Sequence, residues 1–452
     1  MATSLAPRTS SSSSAPALES AAFYSILLLL VFGPLAFGAV EEWSSFALKA
    51  GAVVAAMFWA AAQAVRREVR IRPSGVYVPM LLLAAMVGIQ LMLGISAHPY
   101  ATRSAALLYG MYAILGFVSV QLIRGEERVR KFCIVLAIFG FAVALFGIIQ
   151  NLSSHGTLYW MITPRQGGSV YGPYVNRSHF AGLMELLMPF ALVPIFRSQT
   201  ATDKRFLLGF AALVMVTATV LSQSRGGTLS ILMEIVFLAI CLGITRDGKR
   251  AVIILALLLI AATVSVAGLG AGEIVARFNS LGEQEEGGPV TRIRIARDCL
   301  ALIAQHPLLG TGLGTFADVY PRVRSYATDL SVGQAHNDYL QCAVEMGLAG
   351  LAVTMWLIVL LYRRGLSRLS EWHRNWQGCL RIAGMTACTG LLVHSFMDFN
   401  LQIPANALLF FILMGLVCSD SGVSTKRVKR SRHRHAYPKP EGSPGTSMPE
   451  PG

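Results

Sequence analysis

The densest run of reactive side chains in the sequence is Ala335-His336-Asn337-Asp338-Tyr339-Leu340-Gln341. It stands where a long polar segment gives way to an apolar run, so it marks the start of a helix. An asparagine or aspartate at such a start caps the first unpaired amides, which accounts for Asn337 or Asp338 and leaves His336 over. An imidazole at a helix N-terminus is a candidate general base, and the unpaired amides beside it attract phosphate.

Two arginines invite an anion. Arg225 sits in Ser222-Gln223-Ser224-Arg225-Gly226-Gly227, a polar break between two apolar runs. The plain alternative is an arginine snorkelling to a membrane interface, but the glycines beside it would let a bulky ligand approach the backbone closely. Arg292 opens an amphipathic segment, where the helix dipole slightly disfavours a cation and an anion contact would offset the cost. Arg177 belongs to a third segment, Tyr171-Gly172-Pro173-Tyr174-Val175-Asn176-Arg177-Ser178-His179-Phe180, whose aromatic rings, Asn176 and His179 suit either an interfacial belt or a sugar-binding surface. Glu185, Glu234 and Glu345 fall inside apolar runs, where an ionisable group faces protein or a cavity as a hydrogen-bonded structural acid or a functional one. Glu345 is seven residues beyond Asp338, about 10 Å further along a similar helix face.

The elements that must hold these groups cross a membrane. Of 452 residues, 54% are hydrophobic and 14% charged, far from the roughly one-quarter charged residues of a soluble domain. Apolar blocks long enough to span about 30 Å of hydrocarbon as helices recur at 21–40, 44–64, 76–96, 104–123, 131–150, 179–196, 204–221, 227–245, 251–271, 338–362, 378–397 and 403–418. Continuous apolar runs argue for helices over the alternating strands of a barrel. The expected fold is therefore all-α, a polytopic integral membrane protein of about twelve transmembrane helices. Residues 1–20 form a Ser-rich polar leader without the pattern of a cleavable signal, expected to be disordered, and the first span is expected to stay as an anchor. The tail at 419–452, basic and rich in Ser and Pro, is likewise expected to be disordered.

Basic residues orient the bundle. With the N-terminus cytoplasmic, the inner links hold Arg66, Arg67, Arg70 and Arg72; Arg124, Arg128, Arg130 and Lys131; Arg197, Lys204 and Arg205; Arg246, Lys249 and Arg250; and Arg363, Arg364, Arg368 and Arg374. The short outer links hold only Arg103, Arg165, Arg177 and Arg225. Both termini then lie inside. The net charge of +14 thus serves topology and contact with anionic membrane lipid, and no motif accompanies it that would point to nucleic acid. The seven cysteines show no disulfide framework or zinc spacing.

Two outer segments are too long to be mere connectors, 151–178 and 272–337. Within the second, Thr291 to Gln305 reads as an amphipathic helix with Ile293, Ala296, Leu300 and Ile303 on its apolar face and Arg294 placed to pair with Asp298. Pro307 ends it, Gly310-Thr311-Gly312-Leu313-Gly314 makes a tight, flexible turn, and 281–290 is acidic and Gly-rich. On this topology His336, Arg225, Arg292, Asn176 to His179 and Asp398 all lie toward the outer side. Nucleotide-activated donors are confined to the cytoplasm, so a transferase working outside needs a donor carried across on a lipid diphosphate. Its leaving group would bear about two or three negative charges, which suits arginines.

At this point the residues resemble a known family, the O-antigen ligase and O-antigen polymerase superfamily of bacterial envelope glycosyltransferases. The resemblance runs through Arg292, His306-Pro307-Leu308-Leu309-Gly310-Thr311-Gly312-Leu313-Gly314-Thr315-Phe316, Tyr320-Pro321 and His336-Asn337-Asp338-Tyr339-Leu340-Gln341 with Glu345, Gly347 and Gly350. Ser224-Arg225-Gly226, Asn176-Arg177-Ser178-His179-Phe180-Ala181-Gly182 and Met397-Asp398-Phe399-Asn400 extend it. Ser178, where an asparagine is frequent in the family, and Ala296, where an aromatic residue is, depart from the pattern. The resemblance implies a GT-C-like membrane domain over 21–418 that includes a partly helical periplasmic loop at 272–337. It implies an inverting transferase in a bacterial inner membrane that uses an undecaprenyl-diphosphate-linked glycan donor and a glycan or lipid-linked acceptor, without metal, nucleotide or other cofactor. Carried over, His336 activates the acceptor hydroxyl and Arg225 and Arg292 hold the diphosphate, with Asn176, Arg177, His179, Asn337, Asp338, Tyr339, Glu345 and Asp398 as substrate-binding candidates. A lipid-linked glycan flippase and a non-catalytic assembly scaffold are the competing classes.

The topology is open to direct test. In a background without native cysteines, Arg225→Cys, Arg292→Cys and His336→Cys are expected to react with a membrane-impermeant maleimide from the periplasmic side, and Arg66→Cys only after the membrane is opened. Reaction of positions 225 and 336 from opposite sides would overturn it.

Overall fold

Apolar runs of membrane-crossing length satisfy their own backbone by coiling. The computed structural model shows that outcome; it describes residues 14–69, 71–154, 156–164, 169–243, 289–327, 331–367 and 369–419, along with isolated positions between 248 and 260. The helices are α1 (Ser14–Leu35), α2 (Glu42–Arg66), α3 (Tyr77–Met92), α4 (Pro99–Leu122), α5 (Gly125–Ser153), α6 (Arg177–Leu192), α7 (Thr202–Leu221), α8 (Arg225–Gly243), α9 (Pro289–Gln305), α10 (Phe316–Val319), α11 (Asp338–Leu366), α12 (Trp376–His394) and α13 (Pro404–Cys418). Among the described residues the extended pairings are isolated bridges such as Tyr171 with Tyr174.

Among the described residues eight helices, α1, α2, α4, α5, α6 with its 3-10 extension to Phe196, α7, α8 and α11, are long and apolar enough to cross a bilayer. The shorter apolar helices α3 and α13 fall at the expected spans 76–96 and 403–418. α12 occupies the place of 378–397 but is more polar, because Gln377, Arg381, Thr386, Thr389 and His394 dilute it. It packs against α5, α6, α8 and α13, and most of its residues are buried. α6 is buried over 94% of its apolar window, and α13 is likewise nearly all buried. A helix surrounded by protein can carry polar groups that a lipid-facing helix cannot; α2, by contrast, exposes Trp43, Phe46, Val53, Val54 and Met57. The expected span at 251–271, the acidic stretch 281–288, residues 1–13 and the tail beyond 419 lie outside the described residues, apart from the isolated positions up to 260.

The two ends of the bundle differ. At one end Glu19 is buried among Arg66, Arg124 and Arg128, at 2.6, 3.6 and 3.6 Å, and the Arg197 guanidinium lies 4.3 Å from the Trp376 ring. These arginines belong to the basic links expected to face the cytoplasm. They also correct the reading of the polar leader: α1 begins at Ser14, earlier than the apolar run, because three guanidiniums give Glu19 a place inside the fold. At the opposite end the link after α3 joins the segment around α10, with the Ala97 amide donating to Thr311 O at 2.8 Å and His98 Nδ1 3.0 Å from Asp318. The link between α12 and α13 meets the start of α9 there, and the link between α7 and α8 meets the start of α6.

α9 departs from its expected face. The buried stripe is Ile295, Cys299 and Leu302, with Asp298 beside it, whereas Ile293 and Leu300 are exposed. Asp298 accepts hydrogen bonds from the Tyr320 hydroxyl at 3.0 Å and the Ser325 amide at 3.1 Å in place of the expected pairing with Arg294, which lies over the Tyr326 ring. An acid that can collect donors from the following chain takes the inner face, and the apolar stripe shifts with it.

α11 is interrupted at Gly347, whose φ of 67° and ψ of −175° are not helical. The amides of Leu348 and Ala349 bond to the carbonyls of Pro307 and Leu308, at 2.8 and 3.3 Å, so the segment after α9 is stitched into the break. The Leu308 carbonyl fills the space that a side chain at 347 would need. Gln90 completes the joint, donating to Leu309 O at 2.6 Å and Glu345 O at 2.8 Å and accepting from the Leu313 amide at 3.1 Å. The turn at 310–314, expected to be flexible, is therefore a fixed joint between α3 and α11.

Gly347→Ala is expected to destabilise the protein by about 2 kcal/mol or more, since both the positive φ and the close carbonyl oppose a Cβ. A lowered thermal midpoint in detergent checks this; an unchanged midpoint would show that the break relaxes freely.

Candidate functional site

Each reactive residue is placed by a helix end. Asn337 is the N-cap of α11, its side chain accepting from the amides of Tyr339 and Leu340 at 3.0 and 2.9 Å while its Nδ2 donates to Phe396 O at 3.1 Å. His336, just before the cap, has a φ of 49°, a left-handed conformation that costs a non-glycine residue on the order of 1–3 kcal/mol. Its ring meets the link between α12 and α13, where Nδ1 lies 3.2 Å from Asp398 Oδ1. The other carboxylate oxygen of Asp398 is 3.5 Å from Arg292 Nη2, and Arg292 Nη1 donates to Met397 O at 2.7 Å. One buried acid thus joins an imidazole from the start of α11 to a guanidinium from the start of α9.

Asp398 has only 2% of its side chain exposed, against 26% for His336 and 37% for Arg292. Burial alone would raise its carboxyl. The hydrogen bond from His336 and the charge of Arg292 outweigh burial and hold it well below the usual carboxylate range. An ionised Asp398 accepts a proton-bearing Nδ1, which leaves Nε2 of a neutral His336 ring as the lone-pair nitrogen. The Phe399 ring lies edge-on to two histidines, 4.9 Å from His336 and 4.7 Å from His179.

The segment 176–179 reaches the same region through the start of α6. Asn176 caps α6 by accepting from the Ser178 amide at 2.8 Å, and Arg177 donates to Gln223 at 3.5 Å. Ser224 donates to Ser178 at 3.2 Å and accepts from the Gly227 amide at 3.1 Å, so it ties α6 to the start of α8. Arg225 is the first residue of α8. Its neighbour Gly226 lies against the turn that carries Asp398: a Cβ at 226 would be 2.7 Å from His394 Nε2 and 3.6 Å from Met397 Cβ.

Three other candidates turn away. Asp338 accepts from the Ser395 hydroxyl at 2.9 Å, the Leu401 amide at 3.1 Å and Gln402 at 3.4 Å. Tyr339 donates to Leu392 O at 2.7 Å, and Glu345 accepts from the Gly314 amide at 2.8 Å and Gln341 at 3.1 Å. All three border a mainly apolar cavity of about 270 Å³ between α3, α4, α11 and α13. They fasten the loops that carry the site. Conversely, the sequence places Asp398 among general substrate contacts and gives no pairing with His336; its position just past an apolar run is the available sign.

Residues 210–355 match the model of a family described as O-antigen ligase. No curated protein matches the chain.

Asn337→Ala removes a cap that serves two amides and is expected to cost about 1 kcal/mol of stability, measured as a lower thermal midpoint. No change would mean that the Asn337 side chain does not hold the start of α11.

Proposed function

We propose, from the match of residues 210–355 to a family described as O-antigen ligase, that the protein transfers a glycan from an undecaprenyl-diphosphate donor to a sugar hydroxyl at the periplasmic face of a bacterial inner membrane. The observation that carries this reading is the His336, Asp398 and Arg292 cluster. It supplies a proton acceptor, the group that orients it and a cation within one small region.

The acceptor hydroxyl oxygen attacks the anomeric carbon as the bond from that carbon to the diphosphate oxygen breaks. His336 Nε2 takes the hydroxyl proton, and the electron pair of the broken bond leaves with the lipid diphosphate. Asp398 stabilises the imidazolium that forms without itself taking the proton, as in a catalytic triad. Arg292 and Arg225 meet the charge that grows on the leaving diphosphate. Asn176, Arg177 and His179, on the adjoining edge, contribute polar and aromatic surface for the glycan. The scheme uses no nucleotide or metal.

His336→Ala in a folded variant is expected to lower transfer from purified lipid-linked donor by about 10²–10⁴-fold. Asp398→Asn is expected to fall at least about 10²-fold, because an amide does not impose the same tautomer. Transfer by His336→Ala at the wild-type rate would reject the base role.

A further inference from the structure

Beside the cluster lies a buried acid and imidazole pair that the transfer step does not use. His394, the last residue of α12, and Glu185 of α6 are 2.7 Å apart, with 1% and 0% of their side chains exposed. Glu185 places Oε1 on His394 Nδ1, and its Oε2 has no hydrogen-bond partner among the described residues. Burying an acid so incompletely paired is unfavourable, and an apolar residue would fill the same space at less cost.

His394 also touches the backbone beside each arginine of the proposed anion site. Its backbone oxygen accepts from the amides of Met397 and Asp398 at 2.7 and 3.0 Å, which shapes the turn whose Met397 carbonyl holds Arg292. Its ring edge lies where a side chain on Gly226 would be, with Nε2 at 2.7 Å and Cδ2 at 2.8 Å from a Cβ there, and Gly226 follows Arg225 directly. A packed route from Arg225 to Arg292 therefore runs through the His394 ring and backbone. Glu185 fixes the rotation of that ring from a third helix.

We propose that His394, oriented by Glu185, is a positioning residue that sets the spacing of Arg225 and Arg292 to fit one diphosphate. The inference rests on the diphosphate reading above and deepens it. A glycine at 226 is required because the ring occupies the place of a side chain. The acid keeps the ring there, since a freely rotating imidazole would let the start of α8 drift toward or away from the 394–398 turn.

The test measures the Kd of farnesyl diphosphate for the full chain in detergent, alongside the thermal midpoint. Glu185→Leu and His394→Ala are expected to weaken binding by about tenfold or more, and Glu185→Gln, which keeps an acceptor for Nδ1, is expected to recover most of that loss. Gly226→Ala presses on the ring from the other side. It is expected to weaken binding several-fold in the wild-type background but by less than about twofold in His394→Ala, where the ring is gone. Binding within about twofold of wild type for Glu185→Leu and His394→Ala overturns the inference, as do penalties of Gly226→Ala and His394→Ala that simply multiply. Arg225→Ala and Arg292→Ala separate the two claims. If they lose binding while the Glu185 and His394 variants keep it, only the positioning role fails; if they also keep it, the diphosphate reading itself fails.

Discussion

The site depends on one carboxylate shared between an imidazole donor and a guanidinium. Asp398 is nearly inaccessible to solvent and stays ionised because His336 donates to one of its oxygens and Arg292 stands at the other. Removing either partner leaves a buried charge half-compensated, which is far less favourable than leaving the trio intact. The same sharing fixes direction. The imidazole bonds Asp398 through Nδ1, so Nε2 points away from the carboxylate, and Arg292 keeps one of its nitrogens on the Met397 carbonyl, so its plane is set as well.

The helix ends around the site divide the labour by residue type. Asn337 and Asn176 satisfy the first amides of α11 and α6, and Ser224 does so for α8. These caps take up backbone donors beside His336, Arg177 and Arg225 and so hold the backbone that carries them. The strained φ of His336 is tolerable for the same reason. The cap on one side, and the hydrogen bond of the Ala335 amide to Gln341 on the other at 3.1 Å, hold the backbone in place from both directions.

Much of this is legible in the sequence, and what is not has a physical cause. Helix positions follow from apolar length, and the start of α11 from an asparagine before an apolar run. The reading fails where burial comes from protein in place of lipid. α12 is more polar than the spans around it, yet it is among the most enclosed helices. On α9 the sequence favours Ile293 and Leu300 as the inward face, and the structure buries Ile295, Cys299 and Leu302, because Asp298 finds its two donors 22 and 27 residues further on. Asp398 and His336 are 62 residues apart, and no local pattern connects them. Pairings made across such separations depend on which helix ends meet, and periodicity carries no information about that.

The exposure of the three groups shows how the cluster can both hold together and act. Arg292 and His336 keep solvent access while Asp398 does not, so an anion arriving from solvent meets the guanidinium and the imidazole before it meets the acid. The long 3.5 Å contact between Arg292 and Asp398 is weaker than the 2.7 Å bond to the Met397 carbonyl; the first can lengthen while the second keeps the arginine in place. In the proposed transfer, charge brought by a diphosphate would draw Arg292 away from Asp398 without uncoupling Asp398 from His336. The acid, relieved of one cation, would hold the proton-accepting imidazole more strongly at the moment the hydroxyl gives up its proton.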